Sequence, residues 1–442
     1  MAPHRGTTRL AARPGPWRLA PWALALALSV PHPALATNGM RLIGLGPVQN
    51  AMGGVGVGAT LDAASLFTNP AGLADLDRQL ELAATWFKPT VSYRASESQL
   101  PPGLGGAVVA RPDATIDSRR GGNLIPFIAA VLPVSDRLKL GLGLTGVSGM
   151  GVDYPANLYG GATYTSYLQA RLAPAIAYRV GDLVAVGLTV NVLAAQMKYD
   201  VARGFGQQPH DTATSLGIGA TLGVKFKPAR RWDIGLAYET KSRFQDFKFH
   251  IPAHTGVDPA TFQPVDLPAG TDRLTFDQPQ IVSVGTSVTP VAWVVLAADA
   301  QWINWSDTNG RNRPAYRSPV TTGALPWDLS WSDQWVLKLG LQATPLPSLR
   351  VRAGWNYGKS PLDRTRAFEN IAFPAIAEHH LTAGLGLDLT RALTLDVAAG
   401  YAPKVTIAGA NAAYPAQGGQ AIASYSTSMS QYTIDAGVTW RL

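Results

Sequence analysis

The chain has 442 residues, of which 46% are hydrophobic and only 15% charged, with 45 glycines, 12 tryptophans, 14 tyrosines and no cysteine. Its formal charge of +8 falls to +4 once the first 36 residues, which hold four arginines and no acid, are set aside. The remaining basicity is scattered, with no basic patch interleaved with aromatics, which argues against nucleic acid as a partner. The lack of cysteine excludes a disulfide scaffold and agrees with an exported chain.

The first segment carries Arg5, Arg9, Arg13 and Arg18, then a mostly Ala and Leu run from Ala20 to Val30, then Ala34-Leu35-Ala36. This predicts a signal peptide over 1–36, cleaved after Ala36. A membrane anchor is the competing reading, but the apolar run is short and is bounded by Pro21, Pro31 and Pro33. Beyond it the sequence offers no stretch of about twenty apolar residues, so no helix is expected to span a membrane. A membrane location then requires a closed barrel, because open sheet edges cannot be satisfied in lipid.

Thr37 to Arg78 is Gly-rich and not strand-like. A short helical turn is expected over Ala63–Phe67, with Asp62 near its start. Asn69-Pro70-Ala71-Gly72 stops it, since proline removes a donor and restricts the residue before it. Residues 37–78 are assigned to a plug-sized unit, and 79–442 to a barrel wall.

From Gln79 the pattern has period two. Leu80, Leu82, Ala84 and Trp86 alternate with Gln79, Glu81, Ala83 and Thr85, and Leu138, Leu140, Leu142 and Leu144 with Lys139, Gly141, Gly143 and Thr145. With 123–134, 169–179, 183–198, 215–227, 232–247, 276–288, 291–304, 333–345, 349–359, 378–389, 392–403 and 429–442, this makes fourteen candidate strands. Six short connections (133–137, 179–182, 227–231, 289–290, 344–348 and 390–391) alternate with seven long ones, near 94–122, 147–168, 199–214, 248–275, 305–332, 360–377 and 404–428. Short turns on one rim and long loops on the other predict an all-β, fourteen-stranded antiparallel transmembrane barrel. In the last strand Tyr432, Ile434, Ala436, Val438, Trp440 and Leu442 form an apolar row opposite a polar one, with Tyr432 and Trp440 suited to the interfaces.

Asn38-Gly39-Met40, Gly44, Gly46, Asn50-Ala51-Met52-Gly53-Gly54-Val55-Gly56, Asp62-Ala63-Ala64-Ser65 and Asn69-Pro70-Ala71-Gly72-Leu73 resemble the long-chain fatty-acid and aromatic-hydrocarbon transporters of the outer membrane. The resemblance implies an N-terminal hatch inside a fourteen-stranded barrel and uptake of hydrophobic small molecules without an energy-coupling partner. It implies that substrate is caught by extracellular loops, moves to an internal pocket, and leaves sideways at a strand kink when the hatch N-terminus shifts. Asn38, Gly39 and Met40 would be the moving end, and Asn69, Pro70 and Ala71 would hold the other end against the wall. Outer-membrane lipids and the barrel-assembly machinery are the implied partners, and one chain can close its own barrel as a monomer.

For the kink, the third strand is dense in glycine, which permits a bulge and weakens a strand. Gly143, Gly146 and Gly149 are the candidates, with relief of crowding against the hatch as the alternative. The chain ends in Trp440-Arg441-Leu442 rather than in the phenylalanine the resemblance leads one to expect, and Leu442 keeps the outward apolar position.

No catalytic or cofactor constellation is found. His379 and His380 are adjacent but have no third ligand at zinc-site spacing. Gly53-Gly54-Val55-Gly56 lacks the lysine and hydroxyl of a phosphate loop, and Ser65 has no nucleophile elbow. A carboxylate substrate would need a cation in an apolar pocket. Arg94, Arg111, Arg119 and Arg120 in the first long loop, and Lys241, Arg243 and Lys248 near the fourth, are candidates against the alternative of solvated surface charge. Phe87, Tyr93, Trp302, Trp305 and Trp355 are candidates for an entry groove, with an interfacial girdle as the competing reading. The substrate reading favours fatty acids, with alkanes or aromatic compounds as the alternative. A general porin, or a structural or adhesive barrel, would lack an apolar pocket touching Asn38 to Met40.

Overall fold

A computed structural model of the chain describes residues 38–99, 108–155, 163–201, 211–257, 263–310, 316–317, 329–368, 370–409 and 424–442. The leader and Thr37 lie outside them, as does most of the loop between the last two strands. Fourteen antiparallel strands form the wall. They are β1 Gln79–Gln99, β2 Asn123–Pro133, β3 Leu138–Met150, β4 Thr163–Arg179, β5 Val184–Val201, β6 Ala213–Ala229 and β7 Trp232–Glu239, followed by β8 Ile281–Val291, β9 Val294–Ile303, β10 Gln334–Leu346, β11 Leu349–Gly358, β12 His379–Asp388, β13 Leu393–Gly409 and β14 Ser424–Arg441. Each pairs with its neighbours in sequence, and β14 closes on β1 with Gln79 opposite Arg441 and Trp86 opposite Ile434. Closure leaves no free edge, which is what allows strands to sit in lipid.

The alternation seen in the sequence is the wall's inside and outside. On β2, Leu124, Ile128 and Leu132 are exposed outward while Ile125, Phe127, Ala129 and Val131 are buried inward. On β14, Tyr432, Ile434 and Trp440 face out, while Thr427, Gln431 and Asp435 are buried inside. The short turns lie at 134–137, 180–183, 230–231, 292–293, 347–348 and 389–392. The fourth differs from the expectation at Thr289-Pro290. Proline is tolerated there because the β8–β9 ladder is already bulged between Val288 and Val291, so the missing N–H costs no ladder bond.

Several strands run further toward the loop rim than expected, and β1 continues into a hairpin with an additional strand, Val108–Asp117. The expected strand 232–247 instead stops at Glu239, and Arg243–Phe244 then pairs briefly with Gly217 and Ile218 of β6.

Residues 38–78 fill the barrel as a hatch. A helix Gly46–Ala51 starts with Pro47 in its first turn, where a fixed φ is favourable. A turn of helix Ser65–Thr68 and a 3₁₀ segment Pro70–Asp75 follow, with the Asn69 side chain capping the latter through the Ala71 N–H. Ala63, Leu66, Phe67 and Leu73 pack on Phe127, Ala129 and Ala173 of the wall. Backbone touches backbone where the wall offers glycine: a β carbon on Gly235 would strike the Val57 carbonyl, and one on Gly354 would strike Met52 and Gly53.

Gly235→Val is therefore expected to displace the hatch while the wall still closes. Heat-modifiable migration of the barrel would be retained and protease would newly cut within 56–72. Unchanged protection of that stretch would contradict the contact.

Candidate functional site

The hatch is held by polar groups that the inner wall presents. The buried Asp299 carboxylate of β9 accepts the backbone N–H groups of Gly56 (2.7 Å), Val57 (3.0 Å) and Gly58 (3.3 Å). Lys338 of β10 donates to the carbonyls of Ile43 (2.8 Å) and Gly54 (3.1 Å). Thr382 accepts the Gly53 N–H and donates to Ala51 O, and Asn50 donates to Asp435. Asn69 donates to Val57 O (2.8 Å) inside the hatch and to Val224 O (3.1 Å) on β6. Asp75 is gripped by Arg179, Lys225 and Lys227 at 2.7–2.8 Å.

The other end of the hatch is attached differently. Asn38 and Arg41 close a tight turn through reciprocal backbone bonds, with Gly39 at φ +68° beneath the Trp305 indole. Only glycine fits there, for both its dihedral and its missing β carbon. This turn lies along the loop-side end of β3. Leu42 N donates to Val147 O, Gly149 N to Met40 O, and Ser148 Oγ to Met40 O at 2.8 Å. The β2–β3 ladder ends at Phe127–Thr145, beside Pro126, which has no N–H to offer. Past that point β3 bulges against β4 between Gly146 and Ser148 and takes the hatch, not β2, as its partner on that side. Beside this break in the ladder Leu42 of the hatch packs against Ile125 and Phe87.

Above the hatch lies a chamber of buried apolar side chains that includes Met40. Its aromatics meet edge-on and stacked: Tyr93 with Tyr154 at 4.8 Å, Tyr167 with Phe276 at 5.0 Å, Phe276 with Phe373 at 6.2 Å, Trp305 with Trp331 at 5.0 Å. The enclosed space beside the hatch, between Leu42, Ile43, Asn50, His380 and Gln431, is about 20 Å³. At the chamber's base Glu239 bridges two cations, Arg171 at 2.6 Å and Arg41 at 2.9 Å. Two guanidiniums share one carboxylate, and Arg41 Nη1 and Arg171 Nε are buried without a hydrogen-bond partner among the described residues. A buried cationic surplus with idle donors is costly unless an anion comes to it.

Residues 33–438 match the family described as outer membrane protein transport protein (OMPP1/FadL/TodX). The chain belongs to that family. Its fold is similar to that of a Pseudomonas aeruginosa FadL homologue (17% identity, TM-score 0.72, 91% of this chain and 99% of that one). It is also similar to the P. putida toluene transporter TodX (17%, 0.70, 91% and 99%) and the Ralstonia pickettii toluene transporter TbuX (18%, 0.66, 91% and 99%). Among curated proteins no sequence matches. The family is one of outer-membrane transporters of hydrophobic compounds, and the barrel is its fold.

Of the residues singled out in the sequence, Asn38, Gly39 and Met40 are all buried at the β3 contact, and Asn69, Pro70 and Ala71 lie against β5 and β6. Gly146 and Gly149 fall where β3 leaves β2. Gly143 does not: it remains in the ladder, and its missing side chain makes room for Phe67 and Leu66. The loop cations lie apart from the chamber's base. Arg119 pairs with Asp153, Arg120 lies over the Tyr164 ring, Lys241 pairs with Asp307, and Arg94 and Arg243 are exposed. Only the backbone of Arg111 is described, and Lys248 sits on an outer hairpin. Phe87, Tyr93 and Trp305 are interior, whereas Trp355 stacks with Tyr357 and His379 on the wall, and Trp302 is half-buried. His379 and His380 point to opposite faces, as period two requires, so they cannot share a metal. Arg41, Arg171 and Glu239 were not singled out. An inward arginine opposite an inward glutamate on well-separated strands is a signal, but one visible only after register is known.

Burial would raise the pKa of Asp75, but Lys225 and Lys227 outweigh it and hold the carboxyl at about 2. A depressed carboxyl contributes stability in full above its unfolded value near 3.9 and loses it as pH falls toward 2. Asp62 is the reverse. Burial, helped by Asp396 and opposed by Arg352, lifts it to about 7, so its contribution is complete below about pH 4 and is lost as pH rises through 7. Thermal unfolding at pH 5 and pH 8 should therefore show a drop in hatch stability that Asp62→Asn flattens. An identical drop in the variant would exclude Asp62 as its source. Asp299→Ala strands three hatch N–H groups and is expected to cost roughly 3 kcal/mol or more, read as faster amide exchange at 56–58.

Proposed function

We propose that this protein carries long-chain fatty acids across the outer membrane by diffusion through a hatch-plugged barrel with lateral release. The observation that carries the reading is the Arg41–Glu239–Arg171 group, net cationic with unused donors, set at the base of an aromatic and aliphatic chamber. A long chain bearing one carboxylate is the chemistry that complements both parts. Within this reading residues 1–36 direct export and are removed, and 37–78 are the hatch.

The five loop cations Arg94, Arg119, Arg120, Lys241 and Arg243 serve the encounter with an anionic head group. Arg41 and Arg171 then receive it in the interior. Arg41 belongs to the same turn that closes the wall gap, so drawing its guanidinium from Glu239 toward an incoming carboxylate loosens Met40 and Leu42 from β3. The gap beside Gly146 and Gly149 then opens, and the chain leaves sideways into lipid. A general porin would need a wet channel where these side chains meet, and an adhesive barrel would have no use for the cationic group.

A second reading is uptake of aromatic hydrocarbons, favoured by the edge-to-face rings that line the chamber. The two readings separate on one experiment. Cells lacking the gene are complemented with wild type or with Arg41→Gln/Arg171→Gln, and uptake of labelled oleate and labelled toluene is compared at equal surface insertion. Oleate uptake restored by wild type and reduced about tenfold or more in the variant, consistent with losing a buried charge pairing, is expected. Toluene uptake restored with no oleate uptake would move the assignment to aromatic compounds.

The release step has its own test, made simple by the absence of native cysteine. The Leu42 N–H donates to the Val147 carbonyl where the hatch meets β3, so a disulfide formed by Leu42→Cys/Val147→Cys would tie the two together there. Uptake should stop in the oxidised protein and return on reduction. Transport unaffected by a formed crosslink would rule out exit past that contact.

A further inference from the structure

The outer surface of the wall carries a second feature that transport does not use. Across β12, β13, β14 and β1 the lipid-facing side is hollowed into a groove of about 550 Å³. Its floor is Ala383 and Ala399, and its sides are Leu381, Tyr401, Tyr432 and Trp86. The hollow follows from sequence: outward alanines on two adjacent strands stand between rows of large side chains. Tyr401 and Tyr432 hold each other at 4.9 Å between ring centres, and Trp86 lies over Gly122, so the sides are fixed rather than free to collapse into the hollow.

The groove reaches the loop-side edge of the apolar band, where its lining ends in Lys88. Lys88 is exposed and stands opposite Tyr432. Two strands away, Lys404 is exposed in the β13 bulge between Ala402 and Val405. Neither lysine has an ion-pair partner among the described residues. Outward positions just above the groove carry hydroxyls, Thr90 and Ser92 on β1 and the Thr406–Ser428 pair at 2.7 Å, and no carboxylate. Asp117 stands opposite Ser92 on the strand beyond β1, on the far side from the groove. An apolar trough ending in Lys88, with Lys404 on the same outward face two strands away and hydroxyls beside them, complements an acyl chain under a phosphate.

We propose that this groove is a binding site for an anionic phospholipid-type molecule of the outer leaflet, with one acyl chain over Ala383 and Ala399 and the phosphate between Lys88 and Lys404. The site lies outside the barrel and is separate from the chamber, so it stands or falls independently of the transported substrate. Its ligand is a resident lipid that fixes this sector of the wall in the bilayer.

The test uses the full chain purified in non-ionic detergent and incubated with dioleoylphosphatidylglycerol, with retained lipid read by native mass spectrometry. Dioleoylphosphatidylcholine and inorganic phosphate are the comparison probes. Phosphatidylglycerol should be retained in preference to phosphatidylcholine, and inorganic phosphate should not displace it. Lys88→Glu/Lys404→Glu should lower retention about tenfold, as reversal of two surface cations implies, and Ala399→Trp, which fills the floor, should lower it as much. Heat-modifiable migration checks that each variant is folded, and Lys88→Gln/Lys404→Gln supplies a milder change should the charge reversal fail to fold. Retention unaffected by both the charge and the floor substitutions would overturn the proposal and place the lipid in the chamber. Displacement by inorganic phosphate would overturn it too, reducing the site to an ion contact.

Discussion

In hydrocarbon an unpaired backbone N–H or C=O costs several kcal/mol, and a barrel exists because closing a sheet on itself removes every such group. The wall here meets that demand strand by strand, down to the β1–β14 seam. It departs from it between β2 and β3, where Pro126 ends the ladder and the upper end of β3 turns to Met40 and Leu42 for its partners. The barrel therefore borrows hydrogen bonds from its own plug. The wall and the N-terminus are consequently a single hydrogen-bonded unit, and neither can rearrange there without leaving the other unsatisfied.

The two ends of the hatch differ in how they are held. Near Gly53 to Gly58 and Asn69 to Asp75 the grip is ionic and multivalent, through Asp299, Lys338, Lys225 and Arg179, all from the inner wall. Charge-assisted bonds inside a low-dielectric shell are strong and geometrically demanding, so this end behaves as an anchor. At Asn38 to Leu42 the ties are a few backbone bonds, the Ser148 hydroxyl, a bond from Gln278 Nε2 to Met40 Sδ, and the Arg41–Glu239 pair. The segment is thus held by many charge-assisted bonds at one end and by fewer ties at the other.

Much of this was legible beforehand. Period two along β1, β3 and β14 fixed the wall, because lipid on one side and a polar interior on the other leave no other arrangement for these residues. The helix around Ser65 and its termination at Asn69-Pro70 followed from capping and proline sterics, and a bulge in the glycine-dense third strand from the tolerance of a bulge for glycine. The helix at Gly46–Ala51 was not seen, since in a run of glycines only contact with the wall makes it pay. A glycine beside the end of the β2–β3 ladder and one, like Gly143, that stays in the ladder and admits Phe67 read alike in one dimension.

By itself the sequence determined the class of the molecule: a barrel of fourteen amphipathic strands, with alternating turn lengths and a segment that is not wall. Those are properties of neighbours along the chain, set by solvent on either side of each strand. Only the tertiary structure decided where the β2–β3 ladder ends, which cations meet in the interior, and where the outer surface is hollow. Arg41, Arg171 and Glu239 lie on three separate elements, and Lys88 and Lys404 are more than three hundred residues apart in a barrel that closes first strand on last. Such meetings depend on register and closure, which no local pattern encodes.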